Sequence, residues 1–309
     1  MSVTIVAELQ SSILKIQENK ALYEEANFNL RADALDFIDF HIIDRIGIFD
    51  KNEDVKEEFD FLKILARNLT AELEIIDRNL FRKLREQIGA ANDKSVVLRD
   101  IICKYCETDI SAINESGKTG YDNLDIFING ILSDQKIPEP TKNSEPEMIF
   151  YQKTPARIIF EMSAKAQIKE DDVFFDLGSG LGQVAILTNL ISGVSAKGIE
   201  YETVYCDYAR QSAVQLNLSN ISFINKDARN MDYSEGSIFF LYTPFKGKIL
   251  DEVMGLLRKA AQKKPIRIFT YGPCSASIAQ LNWLTCVSGN LGDASRLYEF
   301  KSVMHEGVQ

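Results

Sequence analysis

The chain has 309 residues, of which 45% are hydrophobic and 26% charged, with a formal net charge of −10. That balance belongs to a globular protein with room for about two domains. Five cysteines, an odd number without framework spacing, exclude a disulfide scaffold. No apolar run approaches the ~18–20 residues that span a bilayer, and Met1 to Glu8 lacks a basic segment leading into an apolar stretch, so a cytoplasmic location without membrane contact is expected. Residues 1–150 carry 18 basic and 29 acidic side chains, a net −11, whereas residues 151–309 carry 17 and 16, a net +1. The first half is therefore a solvated acidic surface or one that draws a basic partner, and broad nonspecific binding of nucleic acid is disfavoured.

Residues 1–136 read as a helical domain. Leu62, Leu65, Leu69, Leu73, Ile76, Leu80 and Leu84 recur at three- and four-residue steps, with Lys63, Arg67, Glu72, Arg78 and Arg82 between them. This spacing predicts the core-facing stripe of a bundle helix. Weaker stripes run through 3–17, 34–48 and 97–113. Cys103 and Cys106 form a CxxC, but no second Cys/His pair stands at zinc-ligand spacing. They read as reduced thiols on one helix face, and no metal site is expected.

Residues 137–147 hold three of the seven prolines among polar residues and read as a linker. From 148 to 309 short apolar runs alternate with helical stretches. Strands are expected at 173–177, 196–199, 221–224, 237–242 and 266–271, and helices at 183–191, 204–216 and 249–261. Segments 282–285 and 295–301 supply two last strands, one of them antiparallel. The fold class is α/β, with a doubly wound, mainly parallel sheet after an all-α domain.

The strand Val173 to Leu177 runs into Asp176-Leu-Gly178-Ser179-Gly180-Leu-Gly182-Gln183. Glycines let the backbone turn tightly and approach a ligand, and the following helix offers free N–H groups. No Gly-Lys-Ser/Thr follows, so this is not a Walker loop, and the third glycine comes one residue too early for a dinucleotide fingerprint. The strand also ends in Asp176, which is awkward beside a pyrophosphate. It suits a ligand carrying an ammonium and a sulfonium, which describes S-adenosyl-L-methionine. Glu200 closes the second strand and can accept from ribose hydroxyls. Asp227 follows the third and can accept from an adenine amino group. Each acid alone is an ordinary strand end or helix cap; three at successive strand ends make a site.

With these residues in place, the segment from about 148 to 260 resembles the class I (Rossmann-like, seven-stranded) methyltransferases. Within them it resembles the non-SET histone-lysine methyltransferases, the disruptor-of-telomeric-silencing family. The resemblance rests on Asp176 to Val184, Gly198-Ile-Glu200, Tyr151-Gln-Lys-Thr154 and Ile238 to Phe245. It implies that Asp176, Gly178, Gly180 and Gln183 border the methionine part of the cofactor, Glu200 the ribose and Asp227 the adenine. Tyr151 to Thr154 would fold over the cofactor, and Leu241 to Phe245 would line the transfer channel. Ser179, Gly182 and Ala228 complete the cofactor set. This chain has Gln152-Lys153 where the family has Gly-Glu, Leu241-Tyr242 where it has paired asparagines, and Ala228 where it has an aromatic residue.

Methyl transfer needs positioning more than a triad or a metal. Tyr242 is the polar group expected nearest the transferred methyl, or else a packed strand tyrosine. Thr243, Pro244 and Phe245 would shape the channel, and Thr154-Pro155 also reads as an N-cap followed by proline at the first helical position. The first reading is N-methylation of a basic protein at lysine. The alternatives are a small-molecule methyltransferase with the helical domain as lid, and a non-catalytic nucleotide-binding module.

Overall fold

The computed structural model describes residues 2–49, 55–109, 120–289 and 291–303. The chain divides into two compact units, and the division is not a single cut. One comprises 1–84, 100–108 and 122–134; the other comprises 85–99, 109–121 and 135–309.

The helices of the first half are α1 (Ser2–Glu18), α2 (Phe28–Phe37), α3 (Asp44–Phe49), α4 (Lys56–Ala90), α5 (Lys94–Cys106) and α6 (Asn123–Leu132). A π-helical turn over Ile38–Ile43 joins α2 to α3 without a break. The expected α4 stripe lies inward. Leu62, Leu69, Leu73, Leu80 and Leu84 are buried, and Leu65 and Ile76 pack partly buried against the same core. In the first unit Phe28, Phe81, Phe127 and Tyr105 form an aromatic cluster with ring centroids 4.8 to 5.9 Å apart. Arg31, 0% exposed, donates to Asp77 at 2.7 Å and to backbone carbonyls of Leu22, Glu24 and Glu25, which satisfies a buried guanidinium. The stripe expected over 97–113 forms a helix that ends at Cys106, and residues 110–113 lie outside the described ones. Cys103 is exposed and Cys106 buried, so the CxxC thiols do not share one environment as expected.

The second unit is built on seven strands: β1 (Val173–Leu177), β2 (Ser195–Glu200), β3 (Ile221–Asn225), β4 (Ile238–Tyr242), β5 (Arg267–Tyr271), β6 (Leu284–Cys286) and β7 (Leu297–Ser302). Their order is β3-β2-β1-β4-β5-β7-β6. The first five are parallel, and β7 runs antiparallel to β5 and to β6. The doubly wound sheet is therefore mainly parallel, with one reversed strand near its edge. Phe175, Leu177, Phe239, Leu241 and Ile268 pack into one cluster with Ile249, Val253 and Leu257 of α10 (Gly247–Ala261). The alternate residues Phe174, Phe240 and Phe269 are as fully buried. Both faces of the sheet are thus covered, which explains why the central strands β1, apart from Asp176, and β4 read as nearly continuous apolar runs.

The remaining helices are α7 (Ala156–Ala166), α8 (Gln183–Ser192), α9 (Thr203–Gln215) and the short α11 (Cys274–Ile278), which sequence periodicity is too brief to signal. Helix α7 begins one residue later than expected. Pro155, not Thr154, is the N-cap. The chain leaves β1 towards β2 and β3 on one side and returns to β4 on the other. A crevice opens at such a switch point, beyond the carboxyl ends of β1 and β4. Among the described residues no helix is long and apolar enough to cross a membrane.

Candidate active site

A cavity of about 460 Å³ occupies this crevice. Of the fifteen residues singled out from the sequence, fourteen line it: Tyr151, Thr154, Asp176, Gly178, Ser179, Gly180, Gln183, Glu200, Asp227, Ala228, Tyr242, Thr243, Pro244 and Phe245. Gly182 does not; it sits behind the wall at φ 81° as the N-cap of α8, against Ala209 and Phe223. Lys153 and Leu241, inside the spans expected to cover the cofactor and line the channel, do not line it either.

The turn after β1 is folded by its own backbone. The N–H groups of Gly178 and Ser179 donate to the Ile199 carbonyl at 2.9 and 3.0 Å, and Gly182 N–H donates to Ser179 at 2.8 Å. Gly178 and Gly180 both have positive φ, 75° and 52°. A Cβ on Gly178 would fall 2.3 Å from Pro244, and one on Gly180 would fall 2.2 Å from the Tyr151 ring. The turn is therefore pressed between the two segments that the sequence assigned to channel and lid.

Three buried polar side chains around this turn have no protein partner. They are Asp176 at Oδ2, Ser179 at Oγ and Gln183 at both amide atoms. Buried polar groups are rarely left so, and several together mark a place for a ligand. Asp176, 3% exposed, has its carboxyl pushed up to about 8, chiefly by burial, then by the nearby Glu200 charge, against one N–H from Ala185. Glu200 differs. Its Oε2 accepts from Gly180 N–H at 2.7 Å and its Oε1 from Glu202 N–H at 2.7 Å, and burial still raises its pKa above the usual carboxylate range. Each oxygen keeps lone-pair capacity for a second donor.

Asp227 is engaged more fully than expected. It accepts from the Arg229 backbone at 2.8 Å and from the guanidinium of the same residue, which holds its carboxyl below the ordinary value. Arg229 also pairs with Glu145. Tyr242, at the end of β4, packs against Tyr271 with centroids 4.7 Å apart and the rings tilted by 54°, and burial, with Tyr121 and Tyr271 nearby, pushes its phenol up to about 12. It is therefore a neutral hydroxyl at pH 7, not a base. Thr243 turns the chain out of the strand at φ 40°, with its hydroxyl donating to the Tyr271 carbonyl and accepting from Cys274 N–H, both at 3.1 Å.

What sequence reading missed is the strap from about 139 to 153. Residues 137–147 were expected as a linker, yet they are bonded into the second unit. Glu202, the N-cap of α9, accepts from Thr141 N–H (2.9 Å), Thr141 Oγ1 (2.7 Å) and Lys142 N–H (2.7 Å). Glu147 accepts from Ile249 N–H at 3.0 Å and so caps α10 from outside the helix, which lowers its own pKa. Ile149 N–H donates to the Pro244 carbonyl at 3.0 Å. Pro140, Lys142, Met148, Ile149 and Phe150 then wall one side of the cavity, with Phe150 89% exposed at its mouth, and Tyr205 packs its ring 5.5 Å from that of Tyr151. Prolines signalled that this segment is not helical; they carried no information about its hydrogen-bond partners.

This topology and glycine turn define a Rossmann-like methyltransferase fold. Residues 147–253 match the family described as histone methylation protein DOT1, which the segment resembles. No curated protein matches the chain. Among solved structures, an RNA methyltransferase from Salinibacter ruber, in complex with S-adenosyl-L-homocysteine, is 20% identical. The match covers 51% of this chain and 97% of that one, with a TM-score of 0.40. A precorrin-6y C5,15-methyltransferase from Geobacter metallireducens is 14% identical over 53% of this chain and 94% of that one, TM-score 0.37. A SAM-dependent methyltransferase from Aquifex aeolicus is 14% identical over 47% and 88%, TM-score 0.38.

Proposed function

We propose that the chain is an S-adenosylmethionine-dependent methyltransferase whose acceptor is an amine, the side chain of lysine in a basic protein. The observation that carries the cofactor reading is the set of orphaned polar atoms on Asp176 and Gln183 at the glycine turn. A buried carboxylate offers charge-assisted acceptors to an ammonium, and the unpaired amide of Gln183 offers a donor to a carboxylate. Glu200 has the remaining lone pairs to take ribose hydroxyls, and Asp227, held by Arg229, presents its edge to the adenine end. A cavity of about 460 Å³ lies within the range of cofactor sites, about 300–1,000 Å³.

The bound cofactor supplies a methyl group on a sulfonium, which passes in line to a nucleophile. This chain's residues bind, orient and exclude water. Pro244, against Gly178, fixes the channel wall, and Phe245 and Met148 are bridged across its outer side. Tyr242 aligns the acceptor through its hydroxyl oxygen, and the high pKa of the phenol leaves proton removal to water or to the amine's own equilibrium. The resemblance of 147–253 and the acidic first half favour a basic protein as acceptor. A small-molecule acceptor is the second reading, favoured by the strap that walls one side of the cavity.

Calorimetric titration tests the cofactor. S-adenosylmethionine should bind at micromolar concentration, NAD should not, and Asp176→Ala should abolish binding. Radioactive methyl transfer into lysate proteins then tests the acceptor, and label confined to small molecules would move the assignment to the second reading.

A further inference from the structure

An ion-pair bridge joins two segments at the base end of the cavity without lining it. Asp227 and Ala228 line the cavity, and so do Asn143 and Ser144 of the strap. Arg229 and Glu145, the next residue of each segment, do not. The Arg229 guanidinium donates from Nε to both oxygens of Asp227, at 3.0 and 3.1 Å, and from Nη2 to Asp227 Oδ2 at 2.6 Å. It also donates from Nη1 to Glu145 Oε2 at 3.2 Å and from Nη2 to Glu145 Oε1. A planar guanidinium with five N–H donors can grip two carboxylates at once, which a lysine ammonium cannot. The Arg229 backbone N–H adds a bond to Asp227 Oδ1 at 2.8 Å, so that carboxylate has little freedom to turn. The strap is tied at the ribose end as well. Beside the bonds of Thr141 and Lys142 to Glu202, the Lys142 ammonium donates to the Tyr201 carbonyl and lies 4.6 Å from the centre of the Tyr201 ring. The strap is thus fastened just after Glu200 and, through Arg229, to Asp227.

We propose that Arg229 is a positioning residue for the base of the cofactor: by gripping Glu145 and Asp227 together, it makes base binding and strap closure one event. A base that settles against Asp227 holds the carboxylate, the guanidinium and the strap in one arrangement. A ligand without a base leaves the strap as it was. Coupling of this kind is reciprocal, so loosening the strap weakens the base and nothing else. The proposal rests on the methyltransferase reading above.

Two ligands that differ at the base test it without an identified acceptor. S-ribosylhomocysteine carries a hydroxyl where S-adenosylhomocysteine carries adenine. Dissociation constants for both, and the rate at which trypsin cuts after Lys142 with and without each, are measured on the intact chain, on Glu145→Gln and on Arg229→Lys. The wild type should prefer S-adenosylhomocysteine, and that ligand alone should slow the cut, by at least about threefold. Glu145→Gln keeps the shape of a side chain that is 47% exposed and outside the cavity, so the fold is retained. It should lower the preference about three- to fivefold, the size of a partly exposed charge pair, and remove the protection of Lys142. Binding of S-ribosylhomocysteine should stay within about twofold. Arg229→Lys keeps the charge without the fork and should behave in the same way, and the two changes together should add nothing to either. Equal weakening of both ligands would reduce the bridge to structural support. An unchanged preference or undiminished protection in Glu145→Gln, or protection of the wild type by both ligands or by neither, would leave the strap uncoupled from the base. Each of these overturns the proposal. Failure of the wild type to bind S-adenosylhomocysteine would instead overturn the methyltransferase reading, and the proposal with it.

Discussion

Cofactor affinity should be governed by the protonation of Asp176, a consequence of where the sheet places it. Its carboxyl is buried, faces Glu200, and is pushed up to about 8. A ligand bearing an ammonium and a sulfonium needs the carboxylate, so its apparent affinity is scaled by the ionised fraction. With a pKa of about 8, that fraction is roughly 0.3% at pH 5.5 and about 9% at pH 7.0. The dissociation constant for S-adenosylmethionine should therefore fall about 30-fold across this interval, or ~2 kcal/mol. The interval stays below the range, about 7.7–8.0, in which an α-amino group loses its own proton. Binding at pH 7.0 should also release about nine-tenths of a proton, the amount bound beforehand, read by calorimetry in buffers of differing ionisation enthalpy. Asp176→Asn keeps the shape, so its affinity should be weaker at pH 7.0 and flat with pH. A wild-type constant that moves less than about threefold, or proton uptake on binding, would refute the reasoning.

The same group should shape the stability of the unliganded protein. A folded pKa raised from the ordinary carboxylate value of 3.8 to about 8 contributes stability below pH ~4 that is lost as pH rises through 8. Melting temperatures of Asp176→Asn should accordingly exceed wild type by more at pH 8 than at pH 5, and parallel curves would contradict the assignment. Gly180→Ala places a Cβ 2.2 Å from the Tyr151 ring at φ 52°, so cofactor affinity should drop at least about tenfold. Part of that loss should return in the double variant with Tyr151→Ala, and purely additive effects would exclude the contact as the cause. Glu202→Ala removes the acceptor for Thr141 and Lys142 and should cost about 1–3 kcal/mol. Trypsin should then cut after Lys142 faster than in wild type; an unchanged rate would mean that other bonds hold the strap.

The sheet was legible because its strands are buried on both faces. Runs such as Val173 to Leu177, apolar but for Asp176, and Ile238 to Tyr242 are apolar segments of the right length, each followed by a turn and a helix. The α4 stripe was legible for the equivalent reason at helical period, and a 35-residue helix gives that period many repeats. Helix α11, with five residues, gives it none. The cofactor side of the site was legible because its residues come from consecutive strand ends, where chain order and spatial order agree. Asp176 pairs across the sheet with Gly198 and Phe240, which brings the first and fourth strand ends together.

The strap illustrates the opposite case. Glu202 and Thr141 are 61 residues apart, and Arg229 and Glu145 are 84 apart. Nothing in the local pattern of 137–147 distinguishes a free linker from one whose polar groups meet acids contributed by other elements. The same holds for Tyr121, whose phenol donates to the Lys153 carbonyl 32 residues further along the chain. These long-range bonds bear on how the site is used, for a physical reason. The two carboxylates nearest the glycine turn are alike in chemistry and in burial, yet Glu200 is occupied by backbone N–H groups on both oxygens while Asp176 keeps an oxygen unpaired. Glu200 therefore holds the turn in shape whether or not a ligand is present. On the proposed reading Asp176 Oδ2, beside the one N–H its carboxyl takes from Ala185, would gain its partner from the ligand, and its protonation would respond to binding. Sequence position made both acids candidates; the partners supplied by the fold separate the scaffold from the sensor.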